Sequence, residues 1–223
     1  MENHQDGRIE PVRRFDTDRD EMIALIKERG ITDPNVLRAM TVVERHLFVP
    51  EPFTGRSYED SALPIGKGQT ISQPYTVAFM SQALAVEVGG KVLEVGTGSG
   101  YQAVILAEMG ARVFTIERNL DLLAGARRVF DKLHYRIASK GGDGTVGWTE
   151  FAPFNGIIVT AGAPDIPEPL LHQLAEGGRL VIPVGDLERQ TLIVCVRRGQ
   201  VFDRREVDGF KFVPLIGKKG WKG

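Results

Sequence analysis

The sequence predicts an α/β protein: a doubly wound, mostly parallel seven-stranded sheet with an N-terminal helical cap. Three observations carry this. From Gln73 onward, strand-like apolar runs alternate with helix-like ones, and strands separated by helices lie parallel with both faces covered. The last apolar runs follow one another with no helix between them, which places antiparallel pairing at one edge of the sheet. The passage Val92-Leu93-Glu94-Val95-Gly96-Thr97-Gly98-Ser99-Gly100-Tyr101 drives a buried strand through three closely spaced glycines into a helix. Loops at the carboxyl ends of strands are where such sheets bind ligands.

Taken in order, residues 1–14 show no periodicity and read as a mobile tail. Asp16 or Thr17 can cap a helix running to about Arg29, with Met22, Ile23 and Ile26 on one face and Gly30 as its stop. Asp33-Pro34 opens a second helix whose apolar face is Val36, Leu37 and Met40. His46 to Gly68, rich in Pro, Gly and Phe, reads as irregular connection, and Pro74 opens a helix to about Val86. Strands follow at Lys91–Val95, Arg112–Ile116, Tyr135–Ser139, Ile157–Thr160, Leu180–Val184 and Leu192–Val196, then near Val201–Val207 and at Phe210–Leu215. Helices fall at Tyr101–Met109, Leu120–Leu133 and Pro167–Ala175, the last stopped by Gly177-Gly178. The 223 residues fit a single domain: tail 1–14, cap and following segment 15–72, α/β core 73–223.

Composition narrows the function. With 42% apolar and 26% charged residues, the chain has enough core to fold without disulfides or a structural metal. A formal net charge of −1 gives no electrostatic footprint for nucleic acid, and Lys140, Lys211, Lys218, Lys219 and Lys222 read as solvated surface and tail. The single cysteine, Cys195, sits in an apolar strand-like run and reads as a small buried hydrophobe. His46, His134 and His172 lack ligand spacing, so no metal site is expected. The N-terminus lacks a signal-peptide core, and no apolar run approaches the ~20 residues that span a bilayer. A cytoplasmic monomer with no membrane partner is the expectation.

The chemistry begins at the glycines. A dinucleotide-binding loop would place its third glycine where Tyr101 stands. The G-x-G-x-G spacing of Gly96, Gly98 and Gly100 instead resembles class I methyltransferases, where the loop, here with Thr97 and Ser99, cradles the amino-acid part of S-adenosylmethionine. Glu117 ends the next strand about twenty residues on, where an ionised carboxylate can accept both hydroxyls of a ribose. Glu94 lies inside the first strand, where a bare charge is costly, and reads as paired or bonded to loop amides, supporting the methionine moiety indirectly. Gly142-Asp143-Gly144 follows the third strand. Asp143 suits an acceptor for the adenine amino group, and it also suits an ordinary turn.

A more specific stretch lies upstream: Gly68-Gln69-Thr70-Ile71-Ser72-Gln73-Pro74-Tyr75. Together with Asn155 to Ala161, Glu176-Gly177-Gly178-Arg179-Leu180, Pro183-Val184-Gly185 and Phe212-Val213-Pro214-Leu215, it resembles the protein-L-isoaspartate O-methyltransferases over roughly residues 16 to 217. The resemblance implies methyl transfer from S-adenosylmethionine, leaving S-adenosylhomocysteine, to the free α-carboxylate of isoaspartyl residues in proteins and peptides. The ester then closes to a succinimide whose hydrolysis restores some aspartate. Ser72 matches the serine treated as the family's active-site residue, and its spacing also allows it to cap the helix opened by Pro74. Thr70, Ile71, Gln73, Tyr75, Val213 and Pro214 match positions near the substrate, although Tyr75 equally suits a core aromatic.

The acceptor carboxylate is ionised at neutral pH, so the reaction asks for positioning rather than a general base. The alternatives are a class I methyltransferase acting on RNA or a small metabolite, and a binding protein without turnover. The first lacks here a clustered basic surface and an Asn/Asp-Pro-Pro-aromatic motif; the intact Ser72 segment argues against the second.

Overall fold

A computed structural model describes residues 11–222. The chain opens with helices α1 (Pro11–Glu28) and α2 (Pro34–Val42), then two short 3-10 turns at Arg45–Phe48 and Glu51–Arg56. A hairpin comes next, β1 (Leu63–Gly66) and β2 (Gln69–Ile71), leading into α3 (Pro74–Leu84) and β3 (Lys91–Val95). Beyond them lie α4 (Tyr101–Glu108), β4 (Arg112–Glu117), α5 (Leu120–Lys132), β5 (Ala138–Gly141) and β6 (Phe154–Val159). The chain closes with α6 (Glu168–His172), β7 (Leu174–Gly185), β8 (Gln190–Arg198) and β9 (Val201–Phe210).

The large sheet has the order β5-β4-β3-β6-β7-β8-β9. Its first five strands are parallel; β7-β8 and β8-β9 are antiparallel, as the helix-free end of the sequence implied. The last three strands form a simple meander in chain order.

Period-two alternation sends successive strand residues to opposite faces. Val92, Val113, Ile158, Val181 and Leu192 pack with α1 to α4 and with Ala126 and Phe130 of α5. Leu93, Phe114, Ile157, Leu180 and Ile193 pack with Leu170 and Leu171 of α6 and with Trp148 on the other side.

Several boundaries depart from expectation. Helix α1 begins at Pro11, a residue well suited to the first helical turn. Residues 11–14 of the expected tail are therefore helical, its residues 1–10 lie outside the described residues, and Asp16 and Thr17 are inside the helix. Part of the expected irregular stretch is the β1–β2 hairpin, whose bulge at Gly66 and turn at Lys67-Gly68 take positive φ at all three residues. The expected third strand is shifted to Ala138–Gly141 because the backbone turns left-handed at His134 and Tyr135 folds back, its hydroxyl donating to Glu108 at 2.8 Å.

Gly177-Gly178 stops no helix. Leu174 already pairs with Phe154, and the two glycines form a bulge inside β7, where a side chain at 178 would meet the Ala175 and Phe154 carbonyls. Nor is Phe210–Leu215 a strand. Ladder pairing ends at Phe210, the Phe212 amide donates to the buried Gln190 side chain (2.9 Å), and Pro214 has no N–H to offer.

The N-terminal helices pack on α3, α4 and each other, and it is the hairpin that reaches the ligand cleft. The start of α3, just beyond the hairpin, is held from outside the helix. The Tyr75 amide there donates to Asp60 Oδ1 (2.8 Å), and the other Asp60 oxygen pairs with Arg29, whose guanidinium lies 3.5 Å over the Tyr75 ring. Asp60 thus serves as a cap from fourteen residues ahead of Pro74. Asp60→Ala is expected to lower the unfolding free energy by about 1–2 kcal/mol, read as a lower urea midpoint at unchanged slope. An unmoved midpoint would mean that the Asp60 contacts contribute nothing net.

Candidate functional site

Strand β3 has β4 on one side and β6 on the other, so its connections leave in opposite directions and a crevice opens at the carboxyl ends of the strands. A cleft of about 290 Å³ lies there. Its base is Val95, Gly96 and Gly98; one side is Ile116 to Asn119, with Gly144; the other is Thr160 and Ala161. The hairpin contributes Lys67, Gln69 and Thr70, and the C-terminal segment contributes Val213 to Ile216.

The loop after β3 needs its glycines. Gly96 and Gly100 have φ of 102° and 87°, a region that side chains rarely adopt. A Cβ at Gly96 would come within 2.4 Å of Thr160 Oγ1, and one at Gly100 within 2.5 Å of the Phe130 ring. The Gly96 amide donates to the Ile116 carbonyl (2.9 Å), while Thr160 donates its hydroxyl to the Gly96 carbonyl (2.6 Å). The loop is thereby fastened to both neighbouring strands. Ser99 does not line this cleft; it faces an adjoining apolar groove between the hairpin and α5.

Glu117 ends β4, buried to 6% exposure. Its Oε2 accepts from the Gly98 amide and its Oε1 from the Asn119 amide, both at 2.9 Å. Each oxygen retains acceptor capacity toward the cleft. Asn119, absent from the sequence expectations, caps α5 by accepting from the Asp121 and Leu122 amides. Its capping pattern ahead of an apolar periodic run was the available signal.

Glu94 departs from expectation. It meets no loop amide: Oε2 accepts from Thr115 Oγ1 at 2.5 Å, and Thr115 in turn lies 2.6 Å from Thr97 Oγ1. Glu94 thus reaches the loop through two buried hydroxyls, while its Oε1 is buried with no hydrogen-bond partner among the described residues. Complete burial, reinforced by the nearby Glu117 charge and only partly opposed by the Thr115 hydrogen bond, pushes the Glu94 carboxyl up to about 8. The group is therefore mainly neutral at pH 7.

Gly144 lines the cleft, and Gly142 joins β5 to β4 by donating its amide to the Glu117 carbonyl (3.0 Å). Asp143 Oδ1 accepts from the Thr145 amide (2.9 Å) and hydroxyl (2.6 Å), so it caps the turn Gly144–Val146. Its Oδ2 accepts the Lys218 amide at 2.8 Å, anchoring the C-terminal segment. Burial works against the charge, but the Lys218 and Thr145 donors outweigh it and hold the carboxyl below the usual carboxylate range.

Of the residues expected near a substrate, Thr70, Val213 and Pro214 line the cleft. Ile71 is buried in the core, and Tyr75 stacks parallel to Phe210 with ring centroids 6.2 Å apart. Ser72 and Gln73 are half-buried in the link between β2 and α3. Gln73, not Ser72, occupies the cap position of α3, and no side chain caps that helix locally. The Ser72 hydroxyl has no hydrogen-bond partner among the described residues, whereas its carbonyl accepts from Arg45 Nη2 at 2.8 Å. Lys67, Gln69, Arg118, Ala161, Leu215 and Ile216 complete the lining; Gln69, Ala161 and Leu215 lie inside the segments that carry the resemblance, but none of the six was singled out as a site residue.

The family model for protein-L-isoaspartate(D-aspartate) O-methyltransferase matches residues 17–220. A protein-L-isoaspartate O-methyltransferase of Chlorobaculum tepidum is 55% identical over 205 residues, covering 92% of this chain and 96% of the relative. The enzyme of the same name from Salinibacter ruber is 50% identical over 92% of this chain and 94% of its own. Among solved structures, a protein-L-isoaspartate O-methyltransferase superposes with a TM-score of 0.83 at 27% identity, covering 91% of this chain and 67% of that one. A Plasmodium falciparum protein provisionally assigned to the same enzyme, in complex with S-adenosyl-L-homocysteine, gives 0.76 at 26% identity, covering 89% and 98%.

The buried acid has a measurable consequence. A carboxyl raised to about 8 takes up a proton on folding, so this one group opposes folding progressively as pH rises from the ordinary carboxylate range through 8 and not at all at low pH. Glu94→Gln removes that slope. Relative to the native chain its unfolding free energy should rise by ~1 kcal/mol or more between pH 5 and 8. Parallel pH profiles for the two proteins would show that Glu94 titrates as an ordinary carboxylate.

Proposed function

The chain belongs to the protein-L-isoaspartate O-methyltransferase family, and from that premise we propose how its own residues carry the reaction. It transfers a methyl group from S-adenosylmethionine to the free α-carboxylate of L-isoaspartyl residues in proteins and peptides, starting their repair through a succinimide. S-adenosylmethionine supplies an electrophilic methyl group on a sulfonium sulfur. The chain's contribution is to hold the acceptor oxygen in line with it and to keep both partners from sampling other orientations.

The residues suit that cofactor. Bare backbone at the cleft-lining Gly96 and Gly98 offers close approach to its amino-acid part, and Thr97, Ser99 and Gly100 complete the loop that carries them. Glu117 has acceptor capacity left for the ribose hydroxyls. Asp143, already fixed by Thr145 and Lys218, adjoins the cleft-lining Gly144, and its carboxylate is the candidate acceptor for the adenine amino group. Glu94 acts at one remove, through Thr115 and Thr97.

The observation that carries the substrate side is the uncommitted Ser72 hydroxyl, two residues beyond the cleft-lining Thr70. It donates to the isoaspartyl carboxylate and holds it beside the methyl group. Thr70 forms one side of the acceptor's seat and Val213 and Pro214 the other, while Ile71, Gln73 and Tyr75 support the segment from behind. We also read the chain as one methyltransferase domain working as a monomer, since the edge strand β9 carries Asp203, Arg204, Arg205, Glu206 and Asp208, charges that discourage pairing with a second copy. One buried cysteine, Cys195, fits a reducing cytoplasm.

The test is transfer of radiolabelled methyl to two short peptides identical except for L-isoaspartyl or L-aspartyl at one position. Label is expected on the isoaspartyl peptide alone, released as methanol at mildly alkaline pH; label on both, or none with cofactor bound, would overturn the acceptor assignment. Ser72→Ala should lower turnover about tenfold or more while leaving cofactor affinity unchanged. Asp143→Ala should weaken cofactor binding by calorimetry, and unchanged affinity would remove Asp143 from the adenine site.

A further inference from the structure

Arg45 sits among apolar residues with 0% exposure. Its Nε donates to the Ser57 carbonyl at 2.7 Å and its Nη2 to the Ser72 carbonyl at 2.8 Å. The guanidinium lies 4.9 Å from the centroid of Tyr101, the first residue of α4 and the residue directly after the glycine loop. Phe48 packs edge-on against the same ring. No carboxylate pairs with Arg45 among the described residues, and its Nη1 is buried without a hydrogen-bond partner. Desolvation is the main influence on the group and lowers its pKa.

A side chain placed this way is a poor choice for filling a core. Apolar residues of similar volume commonly replace buried charges at no loss of stability. What arginine offers is a rigid planar fork that reaches two carbonyls from separate segments while laying its face on an aromatic ring. One of those carbonyls belongs to Ser72, whose hydroxyl no local bond fixes and whose backbone is neither helix nor strand. Tyr101 belongs to the cofactor side. Arg45 is therefore the buried link between the serine segment and the element that carries the glycine loop.

We propose that Arg45 is a positioning residue for methyl transfer, holding the Ser72 backbone so that the serine hydroxyl is registered against the bound cofactor. It touches neither substrate nor cofactor; it acts through Ser72. The inference rests on the reading of Ser72 as the residue that holds the acceptor carboxylate, so the test must separate the two.

A double-mutant cycle does so. Arg45→Lys keeps the charge but loses the fork. With an isoaspartyl peptide as substrate it should lower kcat about tenfold in the native background and less than about twofold in Ser72→Ala, because the interaction is lost only once. Cofactor affinity by calorimetry should stay within about threefold in all four proteins. Equal losses in both backgrounds would overturn the inference and leave Arg45 a structural residue. A Ser72→Ala variant with native turnover would instead overturn the Ser72 reading. Should Arg45→Lys fold poorly, Arg45→Met runs the same cycle without a buried charge. A lowered melting temperature with native kcat in that variant would likewise overturn the proposal.

Discussion

The carboxylate of Glu117, held between the amides of Gly98 and Asn119, is the interaction on which the rest of the cleft depends. It binds the glycine loop after β3 to the start of α5 after β4, so the two connections that bound the crevice cannot separate. Gly142 donates to the same residue's carbonyl, which brings the third strand's loop into register as well. Three loops from three parallel strands converge on one residue. Their arrangement is a property of the sheet's register rather than of the loops themselves, because β3, β4 and β5 are paired residue by residue up to the points where the loops leave. A ligand that meets this surface meets a preformed one.

The strand ends that bound the cleft were legible in the sequence for that reason. The loop glycines, Glu117 and Asp143 all follow strands at short, regular offsets, and glycine and carboxylate are residues whose placement has few explanations. The sheet was legible too, down to its antiparallel edge. Failures came where tertiary contacts override local pattern. Gly177-Gly178 look like a helix stop but serve a bulge, because Leu174 finds Phe154 across the sheet. Phe210 to Leu215 alternates like a strand, yet the buried Gln190 takes the Phe212 amide. Glu94 was recognised as a buried acid needing a partner. That the partner is a threonine on the next strand, not a loop amide, depends on β3–β4 register that no single-strand pattern encodes.

The segment that we propose receives the acceptor is organised differently. Around Ser72 the stabilising contacts run from side chains to distant backbone: Asp60 to the Tyr75 amide, Arg45 to the Ser57 and Ser72 carbonyls. Such contacts span 12 to 27 residues and end on main-chain atoms, which have no residue signature. Arg45 could not have been singled out from sequence, since a buried arginine and a surface one look alike there. The motif around Ser72 marked the segment we propose receives the acceptor, but not what holds it.

This division follows from the reaction. Methyl transfer to an already ionised carboxylate needs no proton moved, so neither side has to supply a tuned acid or base. Errors of placement are then the main route to lost rate. A surface for the cofactor can be made rigid by strand register, because its groups all follow strands of one sheet. The segment that we propose receives the acceptor lies between a hairpin and a helix, where no ladder continues, and rigidity there has to come from buried polar side chains. Two ionisable groups that an apolar core would ordinarily exclude, Glu94 behind the loop and Arg45 behind Ser72, stand in those two places. Each lacks one hydrogen-bond partner, and each meets its site through intermediaries. That pattern is expected of groups retained for geometry, since a core optimised for stability alone would have replaced both.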